Sequence, residues 1–153
     1  LAVLDTPRTQ DEVRRALPEA KPIEAPGDLQ WRTHLLTFDH RWDEKEKVEI
    51  GTATVLINDT IAIAAVPGEP FLKLQTDFKE SAPAAFPLFL GYTNSIDAGW
   101  PQYIPDIRSA AEGGYGADAR TRIEVGGGET IVNRAVIDLF DMQGMLRDSE
   151  GNW

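Results

Sequence analysis

The sequence contains no cysteine. Disulfide cross-links and thiolate metal sites are therefore excluded, and the redox compartment stays open. No apolar run is long enough to cross a bilayer as a helix. Positive charge is scarce: 15 Lys and Arg stand against 25 Asp and Glu, a net charge of -10 at pH 7. A balance that acidic argues against nucleic acid or an anionic membrane as a partner. Only two histidines occur, His34 and His40. Their even separation puts both on one face of a strand, but roughly 20 Å apart, too far for one metal ion. They read as ordinary strand residues. No Ser stands in a nucleophile-elbow pattern, and the Gly126-Gly127-Gly128 stretch lacks the spacing and Lys of a phosphate loop. Leu1 in place of an initiator Met, with no visible signal peptide, implies a processed chain or a piece of a longer one.

What is present suffices for one domain. The chain has 153 residues, of which 42% are hydrophobic, enough to build a core. Residues 1–28 read as an N-terminal helix and a Pro-rich arm. Leu1 to Leu4 has the look of a strand end, and Thr9-Gln10-Asp11-Glu12 has capping-box spacing ahead of a short helix ended by Pro18. Residues 29–153 read as the α/β domain proper. Trp31 to Trp42 and Val48 to Ile57 form an antiparallel hairpin around the charged tip 43–47, with a bulge expected where the apolar phase shifts at Gly51. The carboxylates Asp39, Asp43, Glu44 and Glu46 read as a solvated tip rather than a calcium site. Further along, a short helix is expected over 106–112, a short edge strand over 121–125 and a strong helix after Gly128. In that last helix Val132, Val136, Leu139 and Phe140 dock on the sheet.

The centre of the chain is 59–69, DTIAIAAVPGE. Ile61 to Val66 is apolar without alternation, which suits a strand covered on both faces. Pro67-Gly68 breaks it, and Glu69 follows at the point where a helix starts near Pro70. Phe71, Leu74 and Phe78 then share one helical face. Phe86 to Tyr92 is a second buried strand. A strand–helix–strand unit of this kind returns parallel, so both strands end at one edge of the sheet. The fold class is thus α/β: a mixed sheet with an antiparallel hairpin and a strand–helix–strand unit, helices packed on the sheet.

Glu69 and Tyr103 are the residues best placed for chemistry. Both lie just past buried strands in loops built on Pro and Gly. A carboxylate and a phenol together can bind a hard or borderline metal, or act as an acid–base pair. Plainer roles also fit: Glu69 as a helix cap, and Tyr103 as a loop aromatic that packs its ring and wets its hydroxyl.

Taken in order, VEIGTATVLINDTIAIAAVPGEPF, a buried strand, and then GYTNSIDAGWPQYIPDIRSAAEGGYG resemble the neutral/alkaline non-lysosomal ceramidases over residues 47 to 140. The resemblance implies a zinc amidase that cleaves an N-acyl bond of a lipid-like, sphingolipid-type substrate. It implies that Glu69, in Pro-Gly-Glu, and Tyr103, in Gln-Tyr-Ile-Pro, are zinc ligands, with Tyr115 the less close match for the tyrosine. The family's zinc histidines and catalytic serine belong to an upstream half that has no counterpart here, and His34 and His40 do not match them. The chain therefore resembles the C-terminal part of a larger catalytic domain. Such a part is inactive alone and needs an upstream part of the precursor, or a second chain, to supply His ligands. The alternative is a binding or structural module that kept the scaffold and lost the chemistry.

Overall fold

A computed structural model describes residues 6–19, 27–93 and 99–147. The expected strand end at residues 1–4, most of the Pro-rich arm and the last residues of the tail lie outside the described residues. In chain order come α1 (Thr6–Ala16) with a 3-10 turn after it, β1 (Leu29–Asp39), β2 (Lys47–Ile57) and β3 (Ile61–Ala65). Then follow β4 (Glu69–Pro70), α2 (Leu72–Ser81), β5 (Phe86–Leu90), β6 (Tyr103–Ile104), α3 (Ile107–Glu112) and α4 (Gly127–Met142). The fold is α/β, as the pattern predicts. Four strands form one mixed sheet in the order β1-β2-β3-β5, and β4 and β6 form a small parallel pair. The β1–β2 and β2–β3 pairs are antiparallel, whereas β5 returns parallel to β3 after α2.

The hairpin pairs one-to-one from Leu29↔Ile57 to Asp39↔Lys47, with Leu35 opposite Gly51. There is no bulge at Gly51. The phase shift has another cause: the inner face continues through Val48, Ile50, Thr54 and Leu56, while the outer face itself turns apolar at Ala53, Val55 and Ile57. Asn58 and Asp59 turn the chain into β3 at positive φ, a conformation that short polar side chains tolerate. The expected edge strand over 121–125 is reduced to isolated bridges: Thr121 to the Gln102–Tyr103 segment, and Ile123 to His40.

One face of the sheet is well covered. Phe38, Val48, Ile50, Leu56, Ala62, Ala64 and Phe89 meet Leu74 and Phe78 of α2 and Ile131, Val132, Ala135 and Leu139 of α4. Phe71 falls outside this core as the N-cap residue of α2. Phe140 is half-buried, because the helical stripe that meets the sheet centres on the fully buried Leu139. Beside these contacts lies a polar tie. Asp138 is buried and accepts Thr54 Oγ1 at 2.9 Å and His34 Nε2 at 2.9 Å, with Arg134 at 3.2 Å. His34 is thus more than an ordinary strand residue: it links β1 to α4.

The opposite face is bare. Three rows of side chains cross all four strands there: Leu29–Ile57–Ile61–Phe86, Trp31–Val55–Ile63–Leu88 and Thr33–Ala53–Ala65–Leu90. Trp31 is 62% and Phe86 63% exposed. Among the described residues no helix packs on this side. This corrects the expectation that β3 and 86–92 are buried on both faces. Ile61, Ile63 and Ala65 are half-exposed, and of the apolar residues of β5 only Phe89 is buried.

The two faces make opposite predictions for stability. Leu139→Ala should cost about 2–5 kcal/mol in chemical denaturation, because it opens a cavity in the covered core. Phe140→Ala should fall below the ~3–5 kcal/mol typical of a fully buried Phe. Leu88→Lys on the bare face should stay within about 0.5 kcal/mol of the parent. A large loss for Leu88→Lys would mean that this face is covered.

Candidate functional site

The site forms where β3 and β5 end. Val66 and Pro67 are buried, and Gly68 then turns the chain at φ 87°. A Cβ on Gly68 would lie 2.5 Å from the Gln102 carbonyl oxygen and 2.7 Å from Pro101 Cγ. Only glycine lets these two loops approach so closely. The approach completes a short ladder: Glu69 N–H donates to Gln102 O and Phe71 N–H to Ile104 O, both at 2.9 Å. Tyr103 N–H in turn donates to Arg120 O at 2.9 Å. The result is a parallel pair in which Glu69 stands directly opposite Tyr103. Glu69 does not cap α2. The N-cap is Phe71, and no side chain bonds the helix start.

A second tyrosine completes the cluster. Beyond Leu90 the chain passes Gly91, which lies so tightly under the Pro70 ring that a Cβ would meet Pro70 Cδ at 2.7 Å. Tyr92 follows at φ 55°, its N–H bonded to Gly68 O at 2.8 Å. The Tyr92 and Tyr103 side chains line one cavity with the Glu69 carboxylate. A phenol donating to a carboxylate holds its proton more tightly, since ionisation would set two negative charges side by side. The neighbouring Glu69 carboxylate is the main cause that pushes Tyr92 up to about 12, and it also raises Tyr103. Arg120 acts in the opposite direction on Tyr103 alone. The Tyr103 ring is braced edge-on by Phe71 at 6.1 Å and by Tyr115 at 5.8 Å, and the Arg120 guanidinium lies over Tyr115. Glu69, Tyr92 and Tyr103 line an open cavity of about 390 Å³ whose walls include Phe71, Leu72 and Phe89.

The sequence reading singles out Glu69 and Tyr103, and the fold brings them together. It misses Tyr92. A signal was present: Leu90-Gly91-Tyr92 repeats the grammar of Val66-Pro67-Gly68-Glu69, a strand end, a glycine and then an ionisable residue. The other candidates serve structure. His40 Nδ1 accepts the N–H groups of Trp42 and Asp43 at 3.2 and 3.1 Å, and His34 binds Asp138. Gly127 and Gly128 are buried at the start of α4. Among the described residues no three His, Asp or Glu side chains gather as they would around a metal ion. No family model, curated protein or solved structure matches the chain. The chemistry of the site therefore rests on its own donors: one carboxylate flanked by two phenols, a set suited to proton exchange or to an oxygen-preferring or borderline cation.

Two predictions follow from this geometry. In an alkaline absorbance titration of the three tyrosines, Tyr92 should ionise last, near pH 12, and Glu69→Gln should move it back toward 10. The sign follows from the raised value. The neutral phenol beside Glu69 supports the fold fully below the ordinary tyrosine range, and that support is lost as pH rises through about 12. Gly68→Ala should destabilise the chain by more than about 1 kcal/mol, since it combines a backbone clash with an unfavourable positive φ. Its Tyr103 should titrate closer to a free phenol. Normal titration and stability in that variant would show that the loops do not need the glycine.

Proposed function

We propose that this chain is the C-terminal part of the catalytic domain of a ceramidase-like zinc amidohydrolase, acting on an N-acyl bond of a lipid-like substrate. The observation that carries the reading is the in-register pair Glu69↔Tyr103, whose side chains line one cavity. Two oxygen donors on facing parallel residues fit two positions of a tetrahedral zinc site. Bound zinc supplies polarisation of the amide carbonyl or a water of lowered pKa. Glu69 contributes the negative charge that retains a cation. Glu69 raises the pKa of Tyr103, and Arg120 offsets only part of that rise, so a bound cation would have to displace the phenol proton. Phe71, Leu72 and Phe89 give the cavity an apolar wall that suits an alkyl chain.

Two ligands are half of such a site. The remaining ligands, histidines in this reading, come from the upstream part of the same precursor or from a second chain. The bare sheet face supports a missing layer of the same protein. Its three rows contain no charged side chain, and a strand pair such as β3 and β5 is ordinarily covered on both sides. A second copy is a poor occupant, because each copy brings a net charge of -10 and the two repel. The same bare face also favours the second reading, a binding or structural module that assembles through this sheet and performs no chemistry.

Zinc content and amidase turnover, measured with and without the upstream part, separate the two readings. This chain alone should not turn over a ceramide analogue. Together with the upstream part it should retain zinc and cleave. Glu69→Gln should then lower zinc affinity by at least the ~10–100-fold that loss of an outer-shell partner costs. Unchanged zinc content in that variant would remove the enzyme reading and leave the module.

A further inference from the structure

The two edges of the main sheet are built differently. On β5, Phe86 N–H donates to Thr60 O, and Leu90 O accepts from Val66 N–H. Phe86, Leu88 and Leu90 therefore turn their backbone to β3, and Pro87 and Phe89 turn theirs outward. Pro87 has no N–H, a common way of blunting an edge against further strands. β1 carries no such device. It runs for 11 residues without Pro, Gly or Lys. Asp28 O accepts from Asn58 N–H and His40 N–H donates to Glu46 O, so the even-numbered residues between them bond to β2. Leu29, Trp31, Thr33, Leu35 and Thr37 turn their N–H and C=O groups outward. Among the described residues the one partner of these groups is Arg32, whose Nη1 donates to Trp31 O at 3.1 Å. A carbonyl has two lone pairs, so that oxygen can accept a second donor.

At one end this edge already holds a strand. Glu124 N–H donates to Asp39 O at 3.1 Å, Arg41 N–H donates to Arg122 O at 2.8 Å, and Ile123 bridges His40 in the antiparallel sense. The segment then leaves, because Gly126 turns the chain at φ 91° into α4. The outward groups from Leu29 to Thr37 continue the same line. Their side chains lie on the bare face, in the rows of Ile57, Val55 and Ala53. Carboxylates of Asp28, Asp39, Glu124 and Asp141 border the edge, and the nearby cations are already paired, Arg32 with Asp141 and Lys47 with Asp39. We propose that the β1 edge from Leu29 to Thr37 is a strand-docking site. It takes an extended segment of another polypeptide, antiparallel to β1, apolar at every second residue and basic in between. Backbone hydrogen bonds give affinity, the apolar side chains extend the bare face, and the basic ones answer the carboxylates. β2 separates β1 from β3, at whose end Glu69 lies, so the inference does not rest on the zinc reading.

The test is amide hydrogen exchange of the full chain, read residue by residue by NMR, with and without a short peptide of alternating Val and Lys. A peptide of alternating Val and Glu is the control. An outward N–H that gains a partner exchanges more slowly. Without peptide the amides of Leu29, Thr33, Leu35 and Thr37 should exchange rapidly, and those of Gln30, His34 and Leu36 slowly. The Val-Lys peptide at saturation should slow the first set by about 10-fold or more and leave the second unchanged. Thr33→Pro removes one outward N–H and no bond to β2, and Trp31→Lys sets a cation on the docking face. Whichever of these keeps the parent's melting temperature should lose the protection; undiminished protection there would overturn the site. No slowing by the Val-Lys peptide, or amides already protected in the free monomer, would overturn it equally. Equal slowing by the Val-Glu peptide would remove the basic partner. Protection that rises with chain concentration alone, with dimers in sedimentation, would make a second copy the occupant and contradict the proposal.

Discussion

The site depends on a single close contact, that of Gly68 with the Pro101–Gln102 backbone. Without a side chain at residue 68, the turn after β3 lies flat against the 101–104 loop. The Glu69 N–H then reaches Gln102 O at 2.9 Å. That hydrogen bond sets the register, and the register sets the chemistry. In a parallel pair a slip of one residue would turn Tyr103 to the opposite side, away from Glu69. The other features of the corner are consequences. Pro70 is drawn into β4 opposite Ile104, α2 starts only at Leu72, and Gly91 slides beneath Pro70 so that Tyr92 arrives beside Glu69.

The sheet holds this corner from one side only. Its inner face is locked by Leu74, Phe78, Val132 and Leu139, and by the Asp138 cluster that ties β1, β2 and α4. The strand ends that carry Glu69 and Tyr92 thus project from a fixed base. Its outer face presents three apolar rows to solvent. In the zinc reading proposed above, one further layer of protein would both bury these rows and bring the nitrogen donors.

Much of this was legible in the sequence, and the failures have physical causes. The apolar run 61–66, the Pro-Gly break and the helical spacing of Leu74 and Phe78 define the crossover, because each depends on local pattern alone. The rule that such a crossover returns parallel places the end of β5 beside the end of β3, whereas Tyr103 reaches Glu69 through the separate β4–β6 pair, which no local pattern announces. The bare face was misread for an understandable reason. An apolar run records that both sides require cover, not that this chain provides it. The bulge assigned to Gly51 has the same origin, since a face that turns apolar halfway along a strand imitates a change of phase. Tyr92 was missed because its approach to Glu69 depends on a positive φ and on a backbone bond between two turns, neither of which has a period. Phe140 was overvalued because helical spacing cannot tell the centre of a buried stripe from its rim.

The central claim is that Glu69 and Tyr103 share one cation. The most direct measurement is anomalous diffraction at the zinc edge from crystals of this chain soaked in Zn²⁺. The account predicts a peak about 2 Å from both a Glu69 carboxylate oxygen and the Tyr103 hydroxyl oxygen. A peak bound elsewhere, or zinc on Glu69 with Tyr103 turned away, would contradict it.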